Sequence, residues 1–383
     1  MFNAENWRNE FLHIEDRSVY LNHAAISPLP KSTTQLIQHC FTMRQSDSVD
    51  DFATIDLMIE KTRDLIAALI HASSLNQIAF IPNTSHGLNI IANGIPMREN
   101  DEILLHPFEF PTNVYPWMNQ IKRKVKLKFL PENNGRLPLD VIEAHLSHKT
   151  KIFALSAVQF ISGYKADLKA ITELCHSRGI YVIVDGIQAA GCVPIDVQDS
   201  GIDALCTGGH KWLMCPQGIG FMYLSDRLSD TLLQTELGWL SVKEPWDFFN
   251  YTQDLKKSAS RFECGMLNIP GIYGMCASLK LFLKAEPAKY FEHIRNLGDI
   301  IAKELTDAGF ELYSDPNPHH RSGITTFNIP KQLDENEFLN HLSQEKVYVS
   351  VRDHKLRFSP HFYNTEAEIY HAVESVKNVF EVL

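Results

Sequence analysis

The stretch from Tyr181 to Tyr223, YVIVDGIQAAGCVPIDVQDSGIDALCTGGHKWLMCPQGIGFMY, leaves the chain few folds to choose from. Three apolar runs lie in it or at its edges. Ile180–Val184 ends on Asp185, Asp203–Thr207 leads into Gly208-Gly209-His210-Lys211, and Ile219–Leu224 follows Pro216-Gln217-Gly218. Runs this short, rich in β-branched residues and bounded by glycine and proline, read as buried strands. Strands without a polar face belong in a sheet covered by helices on both sides, an α/β fold. In an open α/β sheet, ligands collect at the carboxyl ends of the strands. Asp185 stands at one such end, and Lys211 follows another closely.

A carboxylate and an amine brought to the same rim are what a pyridoxal 5'-phosphate site needs. The amine forms a Schiff base with the cofactor. The carboxylate faces the pyridine nitrogen and keeps it protonated, so the ring can accept electrons. Either residue alone would read as a solvated charge or a cap. The combination carries the weight: Asp-Gly-x-Gln after a hydrophobic strand, His-Lys-Trp after a glycine pair, then Pro-x-Gly-x-Gly. This pattern closely resembles the class V aminotransferase family of fold type I pyridoxal phosphate enzymes, which includes cysteine desulfurases, kynureninases and isopenicillin N epimerase-like proteins. The resemblance runs from about Tyr20 to about Glu368. It implies a fold type I transferase architecture, a large domain with a mainly parallel sheet covered by helices and a small α+β C-terminal domain. The expected division is 1–20 as an N-terminal segment packing with the small domain, 21–270 as the cofactor domain and 271–383 as the small domain.

Composition limits the alternatives. The 383 residues carry 36 basic and 46 acidic side chains, a formal net charge of −10, which argues against a general nucleic-acid binder. The seven cysteines, at 40, 175, 192, 206, 215, 264 and 276, form no CxxC pair and read as reduced, buried thiols of a cytoplasmic protein. No secretory signal and no run of eighteen apolar residues is visible, so no membrane association is expected. No metal site and no GxGxxG after a strand is found, which removes a nicotinamide reading.

The other rim segments supply the remaining candidates. Ile78–Ile81 reads as a strand, followed by Pro82-Asn83-Thr84-Ser85-His86-Gly87 and a helix from about Leu88. Thr84 and Ser85 are expected N-caps, and a helix N-terminus with a hydroxyl suits a phosphate. By resemblance, Ser85 and His86 bind the phosphate and Phe110, in EFPTNVYPW, stacks on the pyridine ring where desulfurases use histidine. Gln159 contacts the cofactor, Gln188 bonds its phenolic oxygen, Thr207 adds a hydroxyl, and His210 positions the lysine or the phosphate. Gly208 and Gly209 would let the backbone approach closely. The YLN-x-A-A stretch places His23 and Ala24 over the substrate. Arg357, in LRFSPHFYN, binds the substrate carboxylate with its planar fork, and Arg352 is a weaker candidate for that role.

Two departures from the family pattern matter. Met266 stands where RFExGTxN has a hydroxyl residue that reaches a neighbouring subunit's phosphate; the loop itself implies a homodimer with shared active sites. No cysteine lies between Val351 and Ser359, where desulfurases carry their nucleophile. Lys211, Asp185 and His210 are therefore the expected catalytic residues of an enzyme acting at Cα or Cβ of an amino acid, epimerase-like or C–S lyase-like. A kynureninase-like hydrolase, a true aminotransferase and a non-catalytic binding protein built on the same fold stand as alternatives.

Overall fold

The computed structural model describes residues 2–46 and 49–382. Its strands are, in chain order, β1 Val19–Tyr20, β2 Ile78–Ile81, β3 Glu102–Leu105, β4 Lys126–Phe129, β5 Thr150–Ser156, β6 Tyr181–Asp185, β7 Ala204–Gly208, β8 Gly220–Leu224, β9 Thr325–Asn328, β10 Val347–Tyr348, β11 Ser350–Val351 and β12 Lys355–Phe358. The central sheet has seven strands in the order β2-β8-β7-β6-β5-β3-β4. Its pairs are parallel except where β8 meets β2 and β7. The mainly parallel sheet expected from the apolar runs is present, and all three runs form strands within it. Alternation sends Val182 and Val184 of β6 into one apolar cluster and Ile183 into the other, so both faces are buried.

One consequence positions everything that follows. With six of the seven strands parallel, the segments leaving β2, β3, β5, β6 and β7 emerge at one rim. Those segments carry Asn83–Ser85, Phe110–Thr112, Phe160, Asp185–Gln188 and His210–Lys211.

A second, three-stranded antiparallel sheet, β11-β12-β9, packs with the helices Pro287–Asp307, Glu335–Gln344 and Glu366–Val382 around Leu297, Ile301, Phe338, Leu342, Leu356 and Phe358. The N-terminal segment joins this unit. β1 pairs in parallel with β10, Val19 opposite Val347, and Val19 and Leu21 lie in its apolar cluster. Residues 2–20 hold no α-helix. They form two 3-10 turns instead, Ala4–Glu10 and Leu12–Asp16, because Trp7 and Phe11 are held against Phe362 and Tyr363. The helix Ile269–Lys284, expected at the start of the small domain, buries Ile272, Met275, Leu279 and Phe282 in the cluster that also holds Ile66, Ile70 and Phe221. Helical periodicity shows which face is apolar; it does not show which partner receives that face.

Candidate active site

At the rim, a cavity of about 420 Å³ is lined by residues from both units. Asp185 closes β6 with its carboxylate buried at 1% exposure. Its Oδ1 accepts the Ile187 N–H at 2.9 Å, and its Oδ2 has no hydrogen-bond partner. Burial pushes the Asp185 carboxyl well above the usual carboxylate range, and the nearby Glu109 carboxylate adds to the rise. Lys211 lines the same cavity. Burial lowers its amine, Asp185 partly offsets this, and the guanidiniums of Arg357 and Arg352 lower it further. The ring centre of Phe110 lies 5.5 Å from the Lys211 Nζ. Phe110 meets Phe160 edge-on at 5.3 Å, so two aromatic rings form an apolar wall beside the amine.

Arg357 is 3% exposed. Its Nε donates to Ser350 Oγ at 3.2 Å and its Nη1 to the Phe160 carbonyl at 2.7 Å. Among the described residues it has no carboxylate partner. Burial and the neighbouring Arg352 lower its guanidinium to about 10. A buried cation held only by neutral acceptors is costly unless an anion arrives to pair with it.

Several expected residues stand elsewhere. Asn83, rather than Thr84 or Ser85, caps the helix Thr84–Gly94 by accepting the His86 N–H at 2.9 Å. That bond takes the His86 amide out of the expected phosphate role, and the His86 ring turns to Glu236 at 3.5 Å. Ser85 does line the cavity, with its hydroxyl 3.0 Å from that of Thr112. Thr84 also lines it and accepts the Gly208 N–H at 2.9 Å, which ties this helix to the lysine loop. The Thr207 hydroxyl is turned inward to the Gly208 carbonyl and does not line the cavity. Gln159 is spent on Glu109, at 2.8 Å, and its neighbour Phe160 takes the lining position. His23 is wholly buried between the Ser359 carbonyl, at 2.7 Å, and the Tyr363 hydroxyl, at 2.8 Å. It braces the loop whose Ala24 and Ala25 reach the cavity. His210 lines the cavity, its imidazole lowered by burial and by Lys211.

Gln188 lines the cavity with its amide already directed. Nε2 donates to the Ala24 carbonyl at 3.0 Å, and Oε1 accepts from Trp212 Nε1 at 2.8 Å. The turn that carries it passes through Gly191 at φ +92°, where an added Cβ would lie 2.5 Å from the Trp212 carbonyl. Only glycine lets this turn rest on the lysine loop.

One buried residue escaped the sequence reading. Glu109 accepts from the Ser156 N–H and hydroxyl, Asn113 Nδ2 and Gln159 Nε2. It fastens the segment bearing Phe110 to the end of β5, directly beside β6. Its only sequence signal was a carboxylate one residue before an expected stacking ring.

The profile of the family described as "Aminotransferase class-V" matches residues 19–371. The chain belongs to the class-V aminotransferase family. The chain is 27% identical to "Uncharacterized aminotransferase YcbU" of Bacillus subtilis, over 83% of this chain and 84% of the relative. It is 29% identical to a "Probable cysteine desulfurase" of Borreliella burgdorferi, over 95% of this chain and 92% of that one. Its fold superimposes on the cysteine desulfurase CsdA of Escherichia coli with a TM-score of 0.88 at 24% identity, each chain covered in full. It is a pyridoxal-phosphate-dependent enzyme. The cavity of this class-V family member fits that cofactor. The orphaned Asp185 Oδ2 can accept from a ring N–H, Lys211 offers the amine, Phe110 offers a flat apolar face, and Asn83, Thr84 and Ser85 offer a helix N-terminus to a phosphate.

Proposed function

We propose that the enzyme cleaves a bond at Cβ of an amino-acid substrate by elimination, in the manner of a C–S lyase. The observation that carries this reading is one cavity holding an amine of lowered basicity, a buried carboxylate oxygen without a partner and a buried guanidinium without an anion. Bound pyridoxal phosphate supplies an electron sink that stabilises negative charge at the substrate Cα. Asp185 would face its ring nitrogen, and Ser85, Thr84 and the helix start would hold its phosphate. Arg357 takes the substrate carboxylate and so fixes which Cα bond faces the ring. Lys211, once free, accepts the Cα proton; its lowered basicity leaves more of the amine neutral near pH 7 than an exposed lysine would have. Phe110 shields the site without being able to carry a proton.

The cysteines separate lysis from desulfuration onto the protein. None of the seven lines the cavity. Burial pushes the thiols of Cys175 and Cys215 up to about 12, far from a reactive thiolate. The hairpin between the two arginines turns in two residues, Asp353 and His354, and leaves no room for a cysteine-bearing loop. Sulfur leaving Cβ therefore keeps the electron pair of the broken C–S bond and departs as free sulfide or thiol, while the carbon skeleton is released, with water, as pyruvate and ammonia. The relatives named as probable cysteine desulfurases support chemistry at a sulfur-bearing Cβ.

The same reading makes the enzyme a cytoplasmic homodimer. Exposed Phe41, Leu57, Phe249, Tyr251 and Met266 support a partner surface, and unpaired thiols support a reducing compartment. The decisive experiment is an absorbance spectrum of the protein with added pyridoxal phosphate, repeated for Lys211→Ala. We expect a visible band that Lys211→Ala loses, and pyruvate release from cysteine or an S-substituted cysteine. A protein with no visible band at saturating cofactor would overturn the assignment. A band with inverted substrate and no pyruvate would replace lysis by epimerisation.

A further inference from the structure

We propose that Arg352 reads a second anionic group on the substrate, so that the preferred substrates are amino acids whose side chain or sulfur substituent ends in a carboxylate or a comparable acid. The inference rests on the reading of the cavity as an amino-acid site, and it deepens that reading by naming the substrate class.

The β11–β12 hairpin carries both arginines, one on each side of its turn. Ser350 pairs with Arg357 and Val351 with Leu356, and Arg352 and Lys355 exchange N–H···O bonds of 2.9 and 3.0 Å. Alternation along paired strands sends Val351 and Leu356 to one face and Ser350, Arg352, Lys355 and Arg357 to the other. Val351 and Leu356 are buried in the core of the small unit, so the opposite face carries three cations. Lys355 is answered within the hairpin by the Asp353 carboxylate at 2.9 Å. Arg357 and Arg352 are not answered. Both line the cavity, and among the described residues the Arg352 side chain donates only to the carbonyl of Val351 beside it, at 2.8 Å.

The turn that sets this spacing is itself strained. Asp353 and His354 both hold left-handed backbone, φ 50° and 52°, where glycine or asparagine is the ordinary choice. The chain thus keeps the two arginines as diagonal neighbours on one face of the hairpin, Arg352 opposite Lys355 and Arg357 opposite Ser350, against their mutual repulsion. One amino-acid carboxylate needs one guanidinium fork, and the buried Arg357, fixed by Ser350 and the Phe160 carbonyl, supplies it. Arg352 is the more exposed of the two and stands nearer the hairpin tip, where the far end of a longer substrate would lie. Among the described residues Asp185 is the only carboxylate lining the cavity, so no other acid there competes with a substrate anion for Arg352.

The test uses pairs of equal size that differ in charge: S-carboxymethyl-L-cysteine against S-carbamoylmethyl-L-cysteine, and L-glutamate against L-glutamine. Apparent Kd is read from spectral titration of the cofactor-loaded enzyme. The expected result is a preference of about tenfold or more for the acid in each pair. That ratio falls toward one in Arg352→Gln and is partly restored in Arg352→Lys. Melting temperatures of the variants, measured alongside, confirm that they are folded. If wild type binds acid and amide equally, or if Arg352→Gln weakens both members by the same factor and keeps the ratio, the inference is overturned while the amino-acid site stands. A cofactor-loaded enzyme that responds to none of the four compounds, nor to cysteine or alanine, overturns the reading of the site together with this inference.

Discussion

Asp185 shows at the scale of one residue how function is bought with stability. Its unpartnered oxygen is a liability in the cofactor-free protein, where burial and Glu109 both oppose its charge. A carboxyl held above its ordinary range ionises more readily once the chain unfolds, so it costs stability as pH rises above that ordinary range. Asp185→Asn should therefore raise the melting temperature of the cofactor-free protein by about 2–4 °C, with a gain that grows with pH. The same substitution should reduce turnover roughly 10²–10³-fold by removing a fixed charge from the ring nitrogen. Calorimetry at two pH values and steady-state kinetics check both halves. Asp185 and Lys211 were legible in the sequence because each follows an apolar strand and stands in a dense local pattern. Glu109 and His23 were not. Most of the bonds to Glu109 come from Ser156 and Gln159, a separate segment far along the chain, and His23 answers to Ser359 and Tyr363, farther still from it. A polar residue whose partner is set by tertiary packing leaves no local signature.

Among the elements, the strands were easier to read than the turns and caps that aim them. The apolar runs matched β2, β6, β7 and β8 to within a residue, because a doubly buried strand needs unbroken apolar sequence. The cap on Thr84–Gly94 was misplaced by one or two residues, because asparagine, threonine and serine are near-equivalent caps and stand in succession here. Asn83→Ala should cost about 1 kcal/mol of stability and weaken cofactor affinity, since the cap directs a helix start that lines the cavity. Thermal melts and cofactor titration report the two effects separately. The β11–β12 turn offers the reverse case. Replacing Asp353-His354 by Asn-Gly should stabilise the protein by about 0.5–1 kcal/mol, because both positions are left-handed. A melt of the double variant that fell instead would show that the side chains of Asp353 and His354 contribute more than the backbone strain costs.

For the whole molecule, the buried histidines set the response to acid. Burial holds His106 down to about 4 and His361 down to about 3, and lowers His23 well below its ordinary value. His361 is locked neutral, with Nε2 donating to the Trp212 carbonyl and Nδ1 accepting the Phe362 N–H. In the unfolded chain these rings take up protons near pH 6.5, give or take the usual spread. From there down to about 4 the unfolded state binds more protons, so stability falls as pH falls. Melting temperature should drop by roughly 5 °C or more between pH 7 and pH 4.5, and His106→Asn should make that slope shallower. The same long-range packing has a consequence for synthesis. Asn22 bridges Ser359, Ala24 lines the cavity, and Arg352 and Arg357 follow Lys211 only far along the chain. A nascent chain still lacking its last strands already holds the lysine and the aspartate, yet it has no wall to close over them and no cation to anchor a carboxylate. Competence to hold a substrate is thus withheld until the segment bearing Arg352 and Arg357 has been made, whatever the ribosome has folded before.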